Sequence, residues 1–544
     1  MPHPPMLKLL LLVSLLPIAP GFSSTLAGDE PAAKSEAARM LKGDWVPENP
    51  HQIDFKALPR IPAEHVVVSD VRPRKGVNQH NYLIHHDGRY WAMWSDGPGV
   101  EDQVGQRVSY STSRDGSQWT KPQFMTPVPP DSAPDSPHYG KRTDKGWRWI
   151  SRGFWKRDGE LLALASLDEA AGFFGKGLQL RAFRWNEAEN AWEDAGLVHD
   201  NAINNFPPQK LSTGQWMMSR RPYDYGRRGV EFLTGGIEAL DHWTSVPVLG
   251  SSEELAAEEP CWWTLPDGRL AAMFRDNRRS GFIYRSLSED NGKTWSRPVQ
   301  TNFPDARSKF HGFRLQDGRY ILVSNPNPKR RDPLALAISD DGLVFTKMGY
   351  LAGGRHVDYP HTMEHDGHIL IAFATGKQTV EVLRVRLEDL DSLQMPSEPL
   401  TAAPPYHPTP EDIVVDHRDR DQVEIVGEWG SSSASPDRHG EDYLFIEPGE
   451  KGSVRFTPKL TEPGRYEIYA IWNNRGSRSS SVPYQIDHAE GSETVVVDQN
   501  EPGGTWMSLG TFSLSPDQAS VRLEAKGAGE YIVADAILFA PRPE

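Results

Sequence analysis

The chain has 544 residues, a formal net charge of −15, 17 tryptophans, one cysteine, and glycine or proline at 92 positions. The acidic balance excludes nucleic acid and anionic membrane surfaces as partners, and a lone cysteine, Cys261, excludes an internal disulfide. The length exceeds one ordinary domain, and a turn-rich, Trp-rich, cysteine-poor composition fits an extracytoplasmic all-β protein that handles sugars.

The chain opens "MPHPPMLKLLLLVSLLPIAPGFSSTLAGDE". Lys8 precedes an apolar run of about a dozen residues, and Thr25-Leu26-Ala27 places small residues just before Gly28. This predicts a cleavable signal peptide over 1–27 and a secreted or periplasmic protein. No later stretch reaches the roughly 18 apolar residues of a membrane-spanning helix.

From 28 to 398 one hairpin pattern recurs: "QHNYLIHHDGRYWAMWSDG", "SRGFWKRDGELLALASLDE", "NNFPPQKLSTGQWMMSRRP", "EEPCWWTLPDGRLAAMFRDN", "RSKFHGFRLQDGRYILVSNPN" and "DYPHTMEHDGHILIAFATGK". The turn glycines are Gly88, Gly159, Gly214, Gly268, Gly318 and Gly367, spaced 71, 55, 54, 50 and 49 residues apart. Asp-Gly between apolar runs is a hairpin signal. A period near 50 with several short strands per unit predicts a β-propeller of six blades, or five if the Gly214 unit is something else. In the fourth unit a two-residue Asp267-Gly268 loop predicts Glu259 opposite Asp276 and Pro260 opposite Arg275. Cys261, mid-strand between Pro260 and Trp262, is expected to be a buried side chain and not a nucleophile.

A second repeat runs through the same region. "SEDNGKTW" (288–295) is an Asp box, and "SRDGSQW" (113–119) and "SDDGLVF" (339–345) are shortened relatives. These are expected to be structural turns over a packed aromatic. "PLTAAPPYHPTP" (399–410) reads as a linker. The segment 411–544 has its own strand pattern and is long enough for an independent β-sandwich.

The hairpins share one property: an apolar middle with polar ends. Equivalent strands of a propeller converge on its axis. The entering strands therefore bring His80, Arg152, Asn205, Glu259, Lys309, His311, Tyr359 and His361 to one funnel. The leaving strands bring Asp96, Asp168, Arg220, Arg221, Arg275, Asp276, Asn325, Asn327 and Lys377. Basic groups outnumber acids in this ring, and Arg grips carboxylate or sulfate bidentately. An acidic protein with a basic funnel points to an anionic small ligand such as an acidic sugar. The spread histidines lack zinc spacing, so no metal or other cofactor is expected.

Residues 70–390 resemble the sialidase (exo-α-sialidase) superfamily through three motifs. "EPCWWTLPDGRLAAMFR" is similar to the segment supplying a catalytic Glu and an anion-gripping Arg, which implies Glu259 and Arg275. "SNPNPKRRDPLALAIS" is similar to the segment carrying a further Arg, which implies Arg331, with Arg330 as second choice. "YPHTMEHDG" is similar to the segment presenting a nucleophilic tyrosine, which implies Tyr359. The resemblance implies a retaining glycosidase with a Tyr nucleophile, assisted by Glu259 as base. An acid on the loop "SDGPGVEDQVGQR" would complete it: Asp102, with Asp96 and Glu101 as rivals. Apart from the resemblance, the hairpin ends and a nearby basic set offer further candidate contacts to an anionic sugar: Asp276, His80, Arg307, Lys309, His311, Asn325, His361, Asp96 and Arg221.

The sequence departs from the family at the first arginine of the carboxylate-gripping triad. His80 stands near its place; Arg60 opens an Arg-Ile-Pro segment but lies too early for the same strand, and Arg72 or Arg74 are the other substitutes. The extra basic set Arg307, Lys309 and His311 would suit a uronic or sulfated sugar. Two other readings stay open. One is a polysaccharide lyase with a His or Tyr base and Arg275 neutralising a uronate. The other is a non-catalytic sugar-binding propeller. Residues 411–541 resemble golvesin-type, carbohydrate-binding-like domains, which implies a β-sandwich that holds polysaccharide. There Trp472, Trp506 and Tyr443 are either sugar-stacking or core aromatics. The oligomeric state is open.

Overall fold

The computed structural model describes residues 38–543, except 100, 102, 132–145, 170–173, 224–228, 250–254, 403–405, 474–477, 480, 501–502 and 528. The expected signal peptide over 1–27 lies outside the described residues. Among the described residues the one α-helix is the short Leu387–Asp391, and no helix is long and apolar enough to cross a membrane.

The hairpin repeat becomes a β-propeller. Among the described residues, six four-stranded antiparallel sheets follow one another, each beginning with one of the six predicted hairpins. Their innermost strands start at Gly76, Trp147, Gln209, Ala257, His311 and Val357. The Gly214 unit is one of these sheets (Gln209–Lys210, Trp216–Arg220, Val230–Gly235, Trp243–Leu249). The sheet containing Val357–His365 takes its outermost strand, Glu64–Asp70, from the start of the propeller. Val357–His365 packs beside Gly76–His86, so first and last sheets meet and the ring closes. Closure removes the free sheet edges that an open array would expose.

The hairpin turns fall into two kinds, and the difference sets the register. Asp87-Gly88, Asp158-Gly159 and Asp366-Gly367 have positive φ at both residues and join directly paired strands, as two-residue loops do. The other three turns are one residue longer. Leu211, Leu265 and Leu315 each donate to the backbone carbonyl four residues on, and only the glycine takes positive φ. Pro266-Asp267-Gly268 is therefore a three-residue loop, and the expected two-residue pairing is corrected. Glu258, not Pro260, lies opposite Arg275, and Ala257, not Glu259, lies opposite Asp276.

The apolar middles fill the interior between sheets, with Trp91, Phe154, Met273, Phe303 and Leu322 in the largest cluster. The Asp boxes are turns between the third and fourth strands. Asp290 accepts from the Thr294 amide at 2.8 Å and hydroxyl at 2.6 Å, and Ser288 Oγ accepts from the Gly292 amide at 2.8 Å. The relatives at Ser113 and Ser339 keep the backbone-amide bonds, to Asp115 and Asp341 and to the serine hydroxyl, without the threonine hydroxyl bond.

From Ile413 the chain forms antiparallel sheets of four, five and three strands around a separate core that includes Val454, Trp472, Ile486, Leu523 and Phe539. Trp472, Tyr443 and Trp506 are all buried, the first two within that core.

Candidate functional site

A repeated backbone device builds the site. The pairing skips on the innermost strands of four sheets, between Ser151 and Gly153 at Arg152 and, in three bulges of one form, between Gln79 and Tyr82, between Glu258 and Cys261, and between Asp358 and His361. In each of these three bulges two residues oppose one. The first takes a left-handed conformation, at φ +54° for His80, +51° for Glu259 and +56° for Tyr359. Left-handed backbone is unfavourable for a side chain with a Cβ and is concentrated at functional sites. The bulge turns these three side chains out of the sheet's alternation.

The residue preceding two of them is a buried carboxylate that holds an arginine from elsewhere. Glu258 pairs with Arg221, and Asp358 pairs with Arg331 at 2.5 Å. Arg331 also donates to the Arg307 carbonyl at 3.1 Å. Both arginines are thereby fixed beside the bulged residues.

Tyr359 is the focus. Its ring stacks on His80, with centroids 5.3 Å apart and planes 7° from parallel. The Arg331 guanidinium carbon lies 5.1 Å from the ring centroid, and the ammonium groups of Lys377 and Lys309 lie at 5.3 and 5.7 Å. Glu259 accepts from Arg275 at 2.7 Å and from Arg221 at 3.4 Å. Burial would raise the Glu259 carboxyl, but Arg275 and Arg221 outweigh it and hold it well below the usual carboxylate range. Burial lowers Arg275, but Glu259 and Tyr359 raise it more, so this arginine links the two groups electrostatically.

Lys309 is buried, and its ammonium donates to Tyr82 Oη at 3.2 Å. Burial, reinforced by Arg152 and Arg275 and opposed by Glu259, pulls it down to about 7. Burial likewise lowers His80 to about 4, against the pull of Glu101. The two imidazoles expected in the funnel lie stacked on each other, His311 on His361 at 4.4 Å. The Thr362 amide donates to His311 Nδ1 at 3.0 Å, and the Leu83 amide donates to His361 Nδ1 at 3.1 Å. Both are held neutral by burial, His311 at about 3 and His361 well below its ordinary value.

Other expected residues are engaged locally. Asp276 accepts from the Arg278 and Ser280 amides at 2.7 and 2.6 Å. Asn325 donates to the Pro333 carbonyl at 3.2 Å. Asp96 accepts from Arg74 at 2.7 Å and Ser109 at 3.1 Å. Arg307 donates to Asn277 Oδ1 at 3.2 Å and faces a basic cleft. Asp102 lies outside the described residues. Its rival Glu101 is paired with Lys377 and lies 3.6 Å from His80, and these partners hold it at about 2 against burial. None of the substitutes for the missing arginine faces Tyr359 by a contact: Arg60 lies on Tyr350 at 3.4 Å, Arg72 pairs with Asp70, and Arg74 pairs with Asp96.

Sequence reasoning missed Asp358, Glu258, Tyr82 and Asp305. The signal for the first two was present: "EEP" and "DYP" both place an acid before the bulged residue. Asp305 is buried and pushed up to about 7 by burial, against Arg275. Among the described residues one group has the spacing to hold a metal ion, Asp416, His417 and Asp535. It lies in the second domain, where Arg418 donates to both Asp416 oxygens at 2.8 and 3.0 Å.

Comparisons with known proteins follow the same division. Part of the chain is similar to "Xanthan lyase" of Bacillus sp. (strain GL1), 34% identical over 154 residues. That match covers 27% of this chain and 17% of the lyase. Among solved structures, one described as "Sialidase" is 15% identical with a TM-score of 0.46, covering 92% of this chain and 54% of that one. A Trypanosoma rangeli sialidase in complex with sialic acid is 13% identical with a TM-score of 0.45, covering 90% and 94%. A protein of unknown function from Dyadobacter fermentans DSM 18053 is 15% identical with a TM-score of 0.48, covering 60% and 100%. The chain thus spans a small part of the curated lyase and about half of the first sialidase structure. Residues 184–371 match the BNR repeat-like domain and residues 413–541 the golvesin C-terminal domain. The chain therefore carries a BNR repeat-like region within its β-propeller and a golvesin C-terminal domain after it.

Proposed function

We propose that this is a secreted glycoside hydrolase that cleaves an acidic sugar, carboxylated or sulfated, from a glycan or polysaccharide. The observation that carries the reading is the surround of Tyr359. Arg331, Lys377 and Lys309 face one phenol ring within 6 Å, and Arg275 links that ring to a Glu259 carboxylate held by two arginines. In a chain of net charge −15, that concentration of cations favours an anionic substrate. A tyrosine nucleophile fits such a substrate, because a carboxylate nucleophile would be repelled by the sugar's own charge.

In this mechanism Arg275 and Arg331 grip the sugar anion. Drawing Arg275 toward substrate loosens its hold on Glu259, which then accepts the Tyr359 proton as the phenol oxygen attacks the anomeric carbon. Asp102 donates a proton to the leaving oxygen and then activates the water that releases the sugar. His80 supports the Tyr359 ring. The golvesin domain keeps the enzyme on its polymeric substrate.

One observation favours a second reading, a lyase. His80 is neutral and lies flat against Tyr359, so either group can take the proton α to a uronate carboxylate, and a relative of part of the chain is named xanthan lyase. The experiment is product analysis on sialylated, uronate-containing and sulfated glycans. A free acidic monosaccharide supports the hydrolase. An unsaturated, ultraviolet-absorbing uronate supports the lyase. Binding without turnover leaves a lectin-like propeller.

A further inference from the structure

We infer that the basic cleft beside Tyr359 is a second anion subsite, so that the preferred substrate carries a further carboxylate or sulfate on the sugar next to the one cleaved. The inference rests on the acidic-sugar reading of the Tyr359 site and specifies its substrate class.

The cleft has a volume of about 560 Å³ and is lined by Arg279, Arg307, Lys329, Arg330, Arg331 and Lys377, with His356 and one acid, the buried Asp305. It is continuous with the Tyr359 site, because Arg331 and Lys377 belong to both: they line the cleft and lie 5.1 and 5.3 Å from the Tyr359 ring.

The charges divide by position. Near Tyr359 the cations have acidic partners, Asp358 for Arg331 and Glu101 for Lys377. Farther out, Arg279, Arg307 and Lys329 form no ion pair among the described residues. The Arg307 guanidinium donates to the neutral Asn277 side chain at 3.2 Å, and the charges acting on it are Arg275, Arg279 and Arg331, opposed more weakly by Glu258. Like charges packed around a cleft repel, and an acidic chain has carboxylates to spare for neutralising them. Their absence leaves the field open for an anion.

The backbone points the same way. Arg279, Arg307 and Lys377 all take left-handed φ, at +65°, +55° and +59°. Holding three non-glycine residues in that region costs folding free energy, and such outliers cluster at ligand clamps. One of the three is shared with the Tyr359 site, and the other two extend it outward. A single sugar carboxylate is already served by Arg275 and Arg331, so the outer cations serve another negative group. Carboxylate and sulfate share the recognising chemistry, a planar or tetrahedral oxyanion on a guanidinium fork.

The test measures binding by calorimetry in the full chain carrying Tyr359→Phe, so that turnover does not interfere. Probes are galacturonic acid, its linear tetramer, a sulfated heparin-derived tetrasaccharide and neutral maltotetraose. One or both anionic tetramers should bind at least about tenfold tighter than the monomer, with a salt dependence, and the better arm identifies carboxylate or sulfate. Arg279→Gln with Lys329→Gln, both exposed side chains, should abolish most of that advantage without lowering the melting temperature. Equal tetramer binding by this variant and its parent, or equal binding of maltotetraose, overturns the inference. If the advantage is found and lost as expected while the unmodified enzyme turns over no glycan, the subsite stands and the hydrolase reading falls. If an acidic sugar is released with no preference for the charged tetramers, the hydrolase stands and the subsite falls.

Discussion

His80 lies flat against Tyr359, and both occupy bulges of the same form on the innermost strands of neighbouring sheets. Behind them His311 and His361 are stacked with their Nδ1 atoms committed to backbone amides. A protonated His311 can no longer accept the Thr362 amide. Burial keeps all three imidazoles neutral far below their ordinary range.

This has a consequence for stability. The unfolded chain takes up protons on these histidines near pH 6.5 and the folded chain does not, so their contribution falls as pH drops below that value. Each pH unit between ordinary and depressed values is worth roughly 1.4 kcal/mol. Asp168, Asp305 and Asp535, raised by burial to about 6, 7 and 7, act in the opposite direction. The diagnostic quantity is therefore a difference. His311→Gln should lose less melting temperature between pH 7 and pH 4.5 than wild type, even from a lower start. Parallel curves would contradict the assignment.

The Glu259–Arg275 pair separates chemistry from stability. Arg275→Ala leaves a buried carboxylate with Arg221 as its remaining partner. Breaking a buried pair from one side costs about 3–5 kcal/mol, so its melting temperature should drop clearly. Glu259→Gln keeps a hydrogen-bond acceptor for Arg275 and should remain folded, yet lose turnover. Thermal unfolding and rate measurements on the two variants check both statements. An active Glu259→Gln would remove Glu259 from the reaction.

Lys309 gives the site a pH response near neutrality. Its ammonium is present below about 7 and is lost above it. Binding of an anionic sugar should weaken by up to about tenfold, roughly 1.4 kcal/mol, between pH 6 and pH 8.5. Lys309→Arg should flatten that profile, and Lys309→Met should bind weakly at both ends. Calorimetric titration across pH reads this directly, and a wild-type profile without slope would contradict it.

Cys261 is expected to be silent. It is buried on an innermost strand, and burial pushes its thiol up to about 12. The native protein should show no reaction with a chromogenic disulfide reagent over minutes, and one thiol per chain in denaturant. Fast native labelling would show that the strand opens.

The propeller was legible because its signal is local and repeated: six turns at near-regular spacing, each between apolar runs. The polar ends of those hairpins also come together as the repeat implies: Glu259 pairs with Arg275, and Arg331 faces the Tyr359 ring. The register around Glu259 was not legible. Asp-Gly forms a two-residue loop at residues 87–88, 158–159 and 366–367 but ends a three-residue one at 266–268 and 316–318, so the dipeptide alone does not set the register. The bulge then adds another residue, and no local preference announces it. His311 and His361 sit at hairpin ends, and only the tertiary contacts show that Nδ1 of each already accepts a backbone amide.

The central claim is that Tyr359 attacks the sugar, and peptide mass mapping of the enzyme quenched by acid during turnover tests it most directly. The account predicts a peptide containing Tyr359 heavier by one acidic glycosyl residue, absent from Tyr359→Phe and accumulating when release is slowed. Release of the acidic sugar by Tyr359→Phe at the wild-type rate, with no adduct on that peptide, would contradict it.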